Sequence, residues 1–238
     1  MGAALLLVEG LTKRFGGLLA NDGVDLTVGE REIVGLIGPN GAGKTTFFDC
    51  LTGHARSDAG RVIFEGRDLT HRAPETIARA GIARTFQLVR VFRGMSALDN
   101  VMVGAFLREP TRRGARERAL QALRLTGLGE VAAQTAGVLP AALQKRIELA
   151  RALATGPRLI VLDESLSGLT PAETRDALEV LRALRERGIA LLVVEHVMEV
   201  IMPLSDRVVV LDAGRRIAEG PPAVVAQDAR VIEAYLGA

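Results

Sequence analysis

The chain has 238 residues, of which 48% are hydrophobic and 24% are charged, enough apolar side chains for the core of a large α/β domain. A net charge of +2 argues against a surface built for polyanions, and 3% aromatic residues argue against base stacking, so we expect no nucleic-acid partner. The single cysteine excludes an internal disulfide and a cysteine-based zinc site. The apolar runs are too short to span a bilayer and no secretory signal is visible, so we expect a soluble cytoplasmic protein.

The predicted elements begin with an antiparallel, partly exposed sheet in residues 5–28, where glycines interrupt mixed apolar and polar positions. Residues Ile33–Ile37 are apolar without alternation, which is typical of a strand covered on both faces. A glycine-rich turn follows, and residues 44–52 predict a helix that ends at Gly53. This order of strand, turn and helix indicates the start of an α/β core.

The composition changes between residues 91 and 138, where arginine-rich and Ala/Leu-rich segments have helical spacing. This change predicts a helical insertion between two halves of the core. Four arginines in the insertion could meet anionic lipid headgroups or an acidic protein surface, and a solvated helix face explains them as well. They are Arg112, Arg113, Arg116 and Arg118.

The core is expected to resume with a helix at residues 144–155 and a buried strand at residues 159–162. The next helix should start at Thr170-Pro171-Ala172-Glu173, which offers an N-cap, a proline in the first turn and a glutamate at the capping-box position. A second buried strand at Ala190–Val194 and a hairpin at residues 206–218 complete the pattern.

One segment matches the phosphate-binding loop pattern in full: Gly38-Pro39-Asn40-Gly41-Ala42-Gly43-Lys44-Thr45. Its glycines let backbone N–H groups turn toward phosphate oxygens, and the following helix adds the partial positive charge of its N-terminus. Lys44 would reach the β- and γ-phosphates of ATP, and the Thr45 hydroxyl would ligate Mg²⁺. Thr46 completes the predicted nucleotide-binding set. The alternative is a structural glycine turn that binds nothing.

Charged residues follow the two buried strands predicted in the second half of the chain. Asp163 directly follows the first strand and could hold Mg²⁺ through water, while Glu164 could polarise an attacking water. His196 follows the second strand, and the ends of parallel strands meet at one edge of a sheet. Carboxylates after a strand also cap turns, and a lone histidine is usually structural. The phosphate-loop pattern upstream makes the catalytic interpretation the better one.

Taken in order, these features resemble the ATP-binding subunit of an ABC transporter over nearly the whole chain. The resemblance implies a P-loop NTPase core with an antiparallel β subdomain and an inserted helical subdomain. It implies that Phe15 stacks on adenine, that Gln87 touches Mg²⁺ and links to the membrane subunit, and that Glu164 is the catalytic base. His196 would contact the γ-phosphate. The chain would then be one domain over 1–238, with its core in 1–90 and 139–238 and the helical subdomain in 91–138.

Four segments are similar to the branched-chain amino acid uptake ATPases within that family. They are Phe15-Gly16-Gly17-Leu18-Leu19-Ala20, Gly81-Ile82-Ala83-Arg84-Thr85-Phe86-Gln87, Val194-Glu195-His196 and Ala234-Tyr235-Leu236-Gly237. This similarity implies integral permease subunits, a second ATPase chain and, indirectly, a periplasmic or surface solute-binding protein as partners, with the chain peripheral on the inner face of the membrane. The lipopolysaccharide-export ATPase is a neighbouring match. A non-transport or nucleotide-sensing ABC protein is a further alternative.

One segment departs from the family pattern: Leu139-Pro140-Ala141-Ala142-Leu143 stands where the family has Leu-Ser-Gly-Gly-Gln. In the family this segment presents N–H groups, a hydroxyl and a helix N-terminus to the γ-phosphate on the other subunit. Pro140 has neither N–H nor hydroxyl, and Ala142 is expected to resist a positive φ that glycine tolerates. We therefore predict an asymmetric pair of different ATPase chains. A tolerated drift of the signature in a site that still works is the alternative, and a homodimer stays open.

Overall fold

The structure is a computed structural model that describes residues 4–87 and 90–236. The strands are β1 (Leu6–Phe15), β2 (Leu18–Val28), β3 (Ile33–Ile37), β4 (Ala59–Phe64), β5 (Arg67–Asp68), β6 (Ile82–Arg84), β7 (Leu159–Asp163), β8 (Ala190–Val194), β9 (Arg207–Asp212) and β10 (Arg215–Gly220). The helices are α1 (Lys44–Leu51), α2 (Pro74–Ala80), α3 (Ala97–Ala105), α4 (Arg112–Leu125), α5 (Ala141–Ala154), α6 (Pro171–Glu186), α7 (Met198–Leu204), α8 (Pro222–Val225) and α9 (Ala229–Leu236). Within the described residues, no helix is long and apolar enough to cross a membrane.

The centre of the molecule is a six-stranded sheet in the order β10-β9-β3-β8-β7-β6. All its neighbouring strands run parallel except the β9–β10 hairpin. Every residue of β3, β7 and β8 is buried, because side chains on both faces of these strands enter a core. Ile33 and Ile37 belong to one apolar cluster, whereas Val34 and Leu36 belong to the other. The apolar runs without alternation therefore predicted these strands correctly.

A second sheet, in the order β2-β1-β4-β5, is antiparallel throughout and lies over one face of the central sheet. Its strands β1 and β2 confirm the antiparallel pair predicted for residues 5–28. Their register shifts between Val8 and Leu11, where Gly10 has a φ of 58°. A positive φ suits a residue without Cβ and lets the strand bulge. Together the two sheets confirm the α/β class with an antiparallel part.

Residues 91–138 contain α3 and α4, which pack against α5 through small apolar side chains such as Ala97, Ala115 and Ala119. Within the predicted cluster, Arg113 pairs with Glu117 of its own helix (3.0 Å), whereas Arg118 Nε donates a hydrogen bond to the Ala154 carbonyl (2.6 Å) at the end of α5. A cation at that position also interacts favourably with the helix dipole. Apart from Arg118, the arginines of the cluster are exposed. The division into core and inserted subdomain stays a prediction.

The helix predicted at Thr170 begins there with both hydrogen bonds of a capping box. Thr170 Oγ1 accepts from the Glu173 backbone N–H (3.3 Å), and Glu173 Oε2 accepts from the Thr170 N–H (2.8 Å). The predicted helix at 144–155 is wrong at its start, because α5 begins at Ala141. Proline has the φ that a helix start requires and lacks a donor there, so Pro140 at the N-cap position begins this helix instead of delaying it.

Candidate nucleotide-binding site

The carboxyl ends of the parallel strands meet at one edge of the sheet, where a cavity of about 420 Å³ opens to the surface. The phosphate-loop segment between β3 and α1 forms its floor. Gln87, which follows β6, and Glu164, which follows β7, line this cavity, whereas Asp163 and His196 lie behind or beside Glu164 and do not line it. The residues around the cavity are Phe15, Leu18, Leu19, Ala20, Asn40, Gly41, Ala42, Gly43, Lys44, Thr45, Thr46, Gln87, Glu164 and Ala213.

The backbone of the loop requires glycine where it passes close to β2. Gly43, the residue before α1, has a φ of 97°, and a Cβ there would lie 2.2 Å from the Ala20 carbonyl oxygen. Gly38 has a comparable limit, since its Cβ would lie 2.0 Å from the Leu211 carbonyl oxygen. A side chain at either position would displace the loop. These glycines therefore hold the loop in the shape from which its N–H groups and the α1 N-terminus can face an anion.

Lys44 is buried at the first position of α1, with its side chain folded over the loop. Its Nζ donates hydrogen bonds to the carbonyls of Gly38 (2.6 Å) and Pro39 (2.9 Å). An ammonium group has three donors, so one is available for a phosphate oxygen. Burial lowers the pKa of Lys44, and the carboxylates of Glu164 and Asp163 oppose that shift. The lysine thus lies between the loop and the two acidic residues at the end of β7.

Asp163 and Glu164 are neighbours in sequence with opposite surroundings. Asp163 is 3% exposed and its Oδ2 accepts a hydrogen bond from Arg84 Nη2 (2.8 Å). Burial raises the pKa of Asp163, and the ion pair with Arg84 opposes that shift. Glu164 faces the cavity and has a φ of 47°, which costs a residue with a Cβ about 1–3 kcal/mol. Backbone strain of this kind is concentrated at functional sites.

The three predicted catalytic side chains come together around one oxygen atom. Gln87 Nε2 donates to Glu164 Oε2 (2.7 Å), and His196 Nδ1 lies 4.0 Å from the same oxygen. The three residues lie far apart in sequence, and the parallel order of β6, β7 and β8 brings their strand ends together. The structure therefore unites the residues that sequence reasoning selected. Their chemical roles stay predictions.

Phe15 lies at the end of β1 on the rim of the cavity, with 53% of its surface exposed. The Lys13 ammonium is 5.1 Å from its ring centroid. A ring held in this way presents an open face on which a planar base could stack. This placement agrees with the role that the family resemblance implies for Phe15.

Within residues 4–87 and 90–236, no group of three or more His, Cys, Asp or Glu side chains could hold a metal ion. The predicted ligands are instead the Thr45 hydroxyl, the Gln87 amide and the Asp163 carboxylate, all oxygen donors. Mg²⁺ prefers oxygen, keeps several waters and is usually held by one or two side chains together with substrate phosphates. This donor set therefore fits Mg²⁺ that arrives with ATP and does not form a metal cage of its own.

Leu139–Leu143, the departing segment, lies outside the cavity, since none of its five residues lines it. Leu139 and Ala142 are buried, while Pro140 is exposed and caps α5 without any side-chain hydrogen bond. The expected strain at Ala142 is wrong: the residue lies in the first turn of α5, where φ is negative. What the segment lacks relative to the family pattern is therefore a hydroxyl and a flexible glycine pair.

Sequence reasoning missed two buried charged residues beside the site. Arg84 forms the ion pair with Asp163, and Glu195 is 1% exposed with its Oε1 accepting from the Leu166 N–H (2.7 Å). Burial raises the pKa of Glu195. Both residues lie in segments that the family resemblance quoted, but a single charge at a strand end gives no sign of whether it is buried.

The fold and the cavity define a P-loop nucleotide-binding protein. A family model described as "ABC transporter" matches residues 21–167, and one described as "Branched-chain amino acid ATP-binding cassette transporter" matches residues 215–238. The chain is 41% identical to the high-affinity branched-chain amino acid transport ATP-binding protein BraF of Pseudomonas aeruginosa and 42% identical to LivG of Salmonella typhimurium. Both alignments cover 100% of this chain and 99% of the relative.

The fold is also similar to the ADP conformation of MJ1267, an ATP-binding cassette of an ABC transporter. The TM-score is 0.90 at 31% sequence identity, and the match covers 100% of both chains. The chain belongs to the ABC transporter family and is an ATP-binding, ATP-hydrolysing subunit of such a transporter. The family resemblance drawn from the sequence is confirmed. The names of these relatives also favour the branched-chain amino acid subfamily over the lipopolysaccharide-export and non-transport alternatives.

Proposed function

We propose that this chain binds ATP with Mg²⁺ in the cavity at the phosphate loop and hydrolyses it to drive the import of branched-chain amino acids. The observation that carries the proposal is the meeting of Gln87 and His196 at one oxygen of Glu164 beside a complete phosphate loop. The names of the relatives BraF and LivG support the solute class.

In the proposed reaction Glu164 orients a water molecule for in-line attack on the γ-phosphate. Lys44 and the N–H groups of the loop bind the phosphates, and His196 donates a hydrogen bond to the γ-phosphate as its charge develops. Thr45, Gln87 and Asp163 would hold Mg²⁺. When bound, the ion neutralises charge on the β- and γ-phosphate oxygens. Glu164 has its positive φ where it lines the cavity, and the attacking water must lie in that cavity.

Replacing the proposed base tests this assignment directly. Glu164→Gln should lower ATP turnover by at least about 100-fold because the amide cannot accept the water proton. ATP affinity should change by no more than a few-fold, so the variant should retain bound ATP. Glu199→Gln is the matched control, because Glu199 is exposed on α7 and lies outside the cavity. Undiminished turnover by Glu164→Gln would contradict the role of this residue as the base.

We further propose that residues 91–138 form the subdomain that receives an integral permease subunit, which would hold the chain at the inner face of the membrane. A groove of about 300 Å³ runs between α3 and the core, and its lining includes His54, Phe86 and Val103. Val103 is exposed on α3, beside the exposed Phe106. Exposed apolar side chains beside a groove favour a protein partner over solvent. A solute-binding protein would act only through the permease.

A charge placed in this groove should disrupt the permease contact alone. Val103→Glu should reduce co-purification with the permease by at least about tenfold, because the carboxylate would be desolvated in the interface. ATP binding by the isolated subunit should remain. Val224→Glu is the control, since Val224 is exposed on α8 outside the groove. Equal retention of the permease by both variants would move the contact elsewhere on the chain.

We also propose that the chain works in a pair with a different ATPase subunit. The chain has a complete phosphate loop together with Glu164 and His196. It can therefore supply one competent site if the partner contributes an intact signature segment. The second site would depend on Leu139–Leu143, where the hydroxyl is replaced by Pro140. A homodimer would use this altered segment twice. The apolar start of α5 thus supports two unequal sites.

A further inference from the structure

Arg84 is a buried arginine that links the two elements bearing the proposed magnesium ligands. It ends β6, and its side chain is only 5% exposed. Its Nη2 donates to Asp163 Oδ2 (2.8 Å) at the end of β7. Its Nη1 donates to Asp49 Oδ1 (2.6 Å) on α1 and to Thr52 Oγ1 (3.1 Å), directly after α1. One planar group therefore spans from the carboxylate to the helix that begins with Lys44 and Thr45.

Aromatic rings hold the guanidinium in this position. Its carbon lies 5.1 Å from the ring centroid of Phe86 and 5.9 Å from that of Phe48. Phe86 in turn meets the His54 ring edge-on at a centroid distance of 5.4 Å. A guanidinium confined between rings and two carboxylates has little freedom to rotate, so the geometry of its hydrogen bonds is fixed by the packing around it.

The ion pair determines how Asp163 can meet a metal. Because Arg84 donates to Oδ2, the carboxylate is held in one orientation, and Oδ1 would be the oxygen left to accept a hydrogen bond from a water bound to the metal. The contact to Asp49 fixes that orientation relative to α1, and hence relative to the Thr45 hydroxyl. A lysine could not replace this contact, since an ammonium is a point charge and lacks the planar fork that bridges two carboxylates.

We propose that Arg84 is a positioning residue that sets the Asp163 carboxylate in register with Thr45, so that the two can share the magnesium ion that accompanies ATP. The inference rests on the proposed function of the cavity. It adds a residue outside the phosphate loop whose effect is confined to the metal-dependent part of nucleotide binding. Outer contacts of this kind typically change metal affinity by about 10–100-fold when they are removed.

The test measures ATP binding by the full chain with Mg²⁺ and with EDTA, and the affinity of the ATP complex for Mn²⁺ by electron paramagnetic resonance. Arg84→Lys should weaken Mn²⁺ binding by about tenfold or more, while ATP affinity in EDTA stays within about twofold. Asp49→Asn removes the charge from the contact between Arg84 and α1 but leaves an oxygen that can accept the hydrogen bond, so it should give a smaller loss of Mn²⁺ affinity. This milder variant also keeps the test decisive if Arg84→Lys folds poorly.

The matched control is Arg207→Lys, which disturbs another partly buried arginine in an ion-pair network. Arg207 Nε lies 3.0 Å from Glu32 Oε1, and neither residue lines the cavity. This variant should lose stability without any change in Mn²⁺ affinity. The inference would be overturned, with the proposed function left intact, by either of two results. In one, Arg84→Lys weakens ATP binding equally with and without metal; in the other, it leaves the Mn²⁺ affinity unchanged. A failure of the unaltered chain to bind ATP would overturn the proposed function and this inference with it.

Discussion

The nucleotide cavity and the start of α5 differ in backbone strain and in the polarity of their side chains. At the cavity, Glu164 has a positive φ, Lys44 is folded against backbone carbonyls, and Gln87 is exposed. At the start of α5, Leu139 is buried in extended backbone and Ala142 is buried in the first turn of the helix, and neither has a positive φ. Strain and unpaired polar groups persist only where something compensates for them. This difference is the basis of the proposed asymmetry: the cavity has the strained and polar residues that a nucleotide site needs, whereas the start of α5 has apolar residues where the family has polar ones.

If the two ATP sites are unequal, replacing the phosphate-loop lysine should have very different consequences in the two subunits. In the assembled transporter, Lys44→Ala should lower ATP turnover by about 100–1,000-fold, because the γ-phosphate loses its main cation at the competent site. The same replacement of the phosphate-loop lysine in the partner subunit should cost only a few-fold, since the site it serves relies on the altered segment of this chain. Both variants are measured in the same reconstituted complex. Equal losses would reject the asymmetry.

Restoring a serine hydroxyl at the start of α5 should have a smaller effect on ATP turnover. Pro140→Ser restores the family hydroxyl and also supplies an N-cap side chain, so the free energy of unfolding should rise by about 1 kcal/mol relative to Pro140→Ala. If the segment limits the second site, ATP turnover of the complex should also rise several-fold with serine and not with alanine. A gain in stability without a gain in turnover would favour a tolerated change in a working site. Chemical denaturation and ATPase assays separate the two outcomes.

The sequence predicted the fold well because its strongest signals were local. The fully apolar strands β3, β7 and β8 and the capping box at Thr170 each carry their own evidence within a few residues. The predicted start of α5 is three residues late, because the family pattern makes Pro140 a departure and gives no reason to begin a helix there. The fixed φ and missing N–H of a proline also suit the first residues of a helix, and that physical signal was available.

From the sequence, the site could be predicted only where the order of the strands brings polar residues at strand ends together. Glu164 and His196 follow apolar strands, so their meeting could be foreseen from a parallel sheet. Arg84 could not be recognised in this way, because its burial depends on Asp49 and Asp163, which lie 35 and 79 residues away. Without knowledge of those partners, a single arginine at the end of a strand is predicted to be a surface charge.

Glu195 lies between the nucleotide cavity and the start of α5, and its replacement should have a smaller effect than either of these changes. Its carboxylate is buried at the end of β8, with Lys145 of α5, His196 and Glu164 as its charged neighbours, and its Oε2 has no hydrogen-bond partner among the described residues. Glu195→Gln keeps the acceptor for the Leu166 N–H and removes the cost of a buried charge. At pH 7 the variant should melt a few degrees higher than the unaltered chain.

The sign of its pH dependence follows from the direction of the pKa shift. Burial raises the pKa of Glu195 in the folded chain, so the carboxyl stabilises the fold most below its unfolded pKa of about 4.3 and loses that contribution as pH rises through the folded value. The difference in melting temperature between Glu195→Gln and the unaltered chain should therefore grow from about pH 4 toward pH 7. Glu199→Gln, at an exposed position, should show no such trend. A difference that shrinks with rising pH would mean that the attraction of Glu195 to neighbouring cationic groups such as Lys145 outweighs its burial.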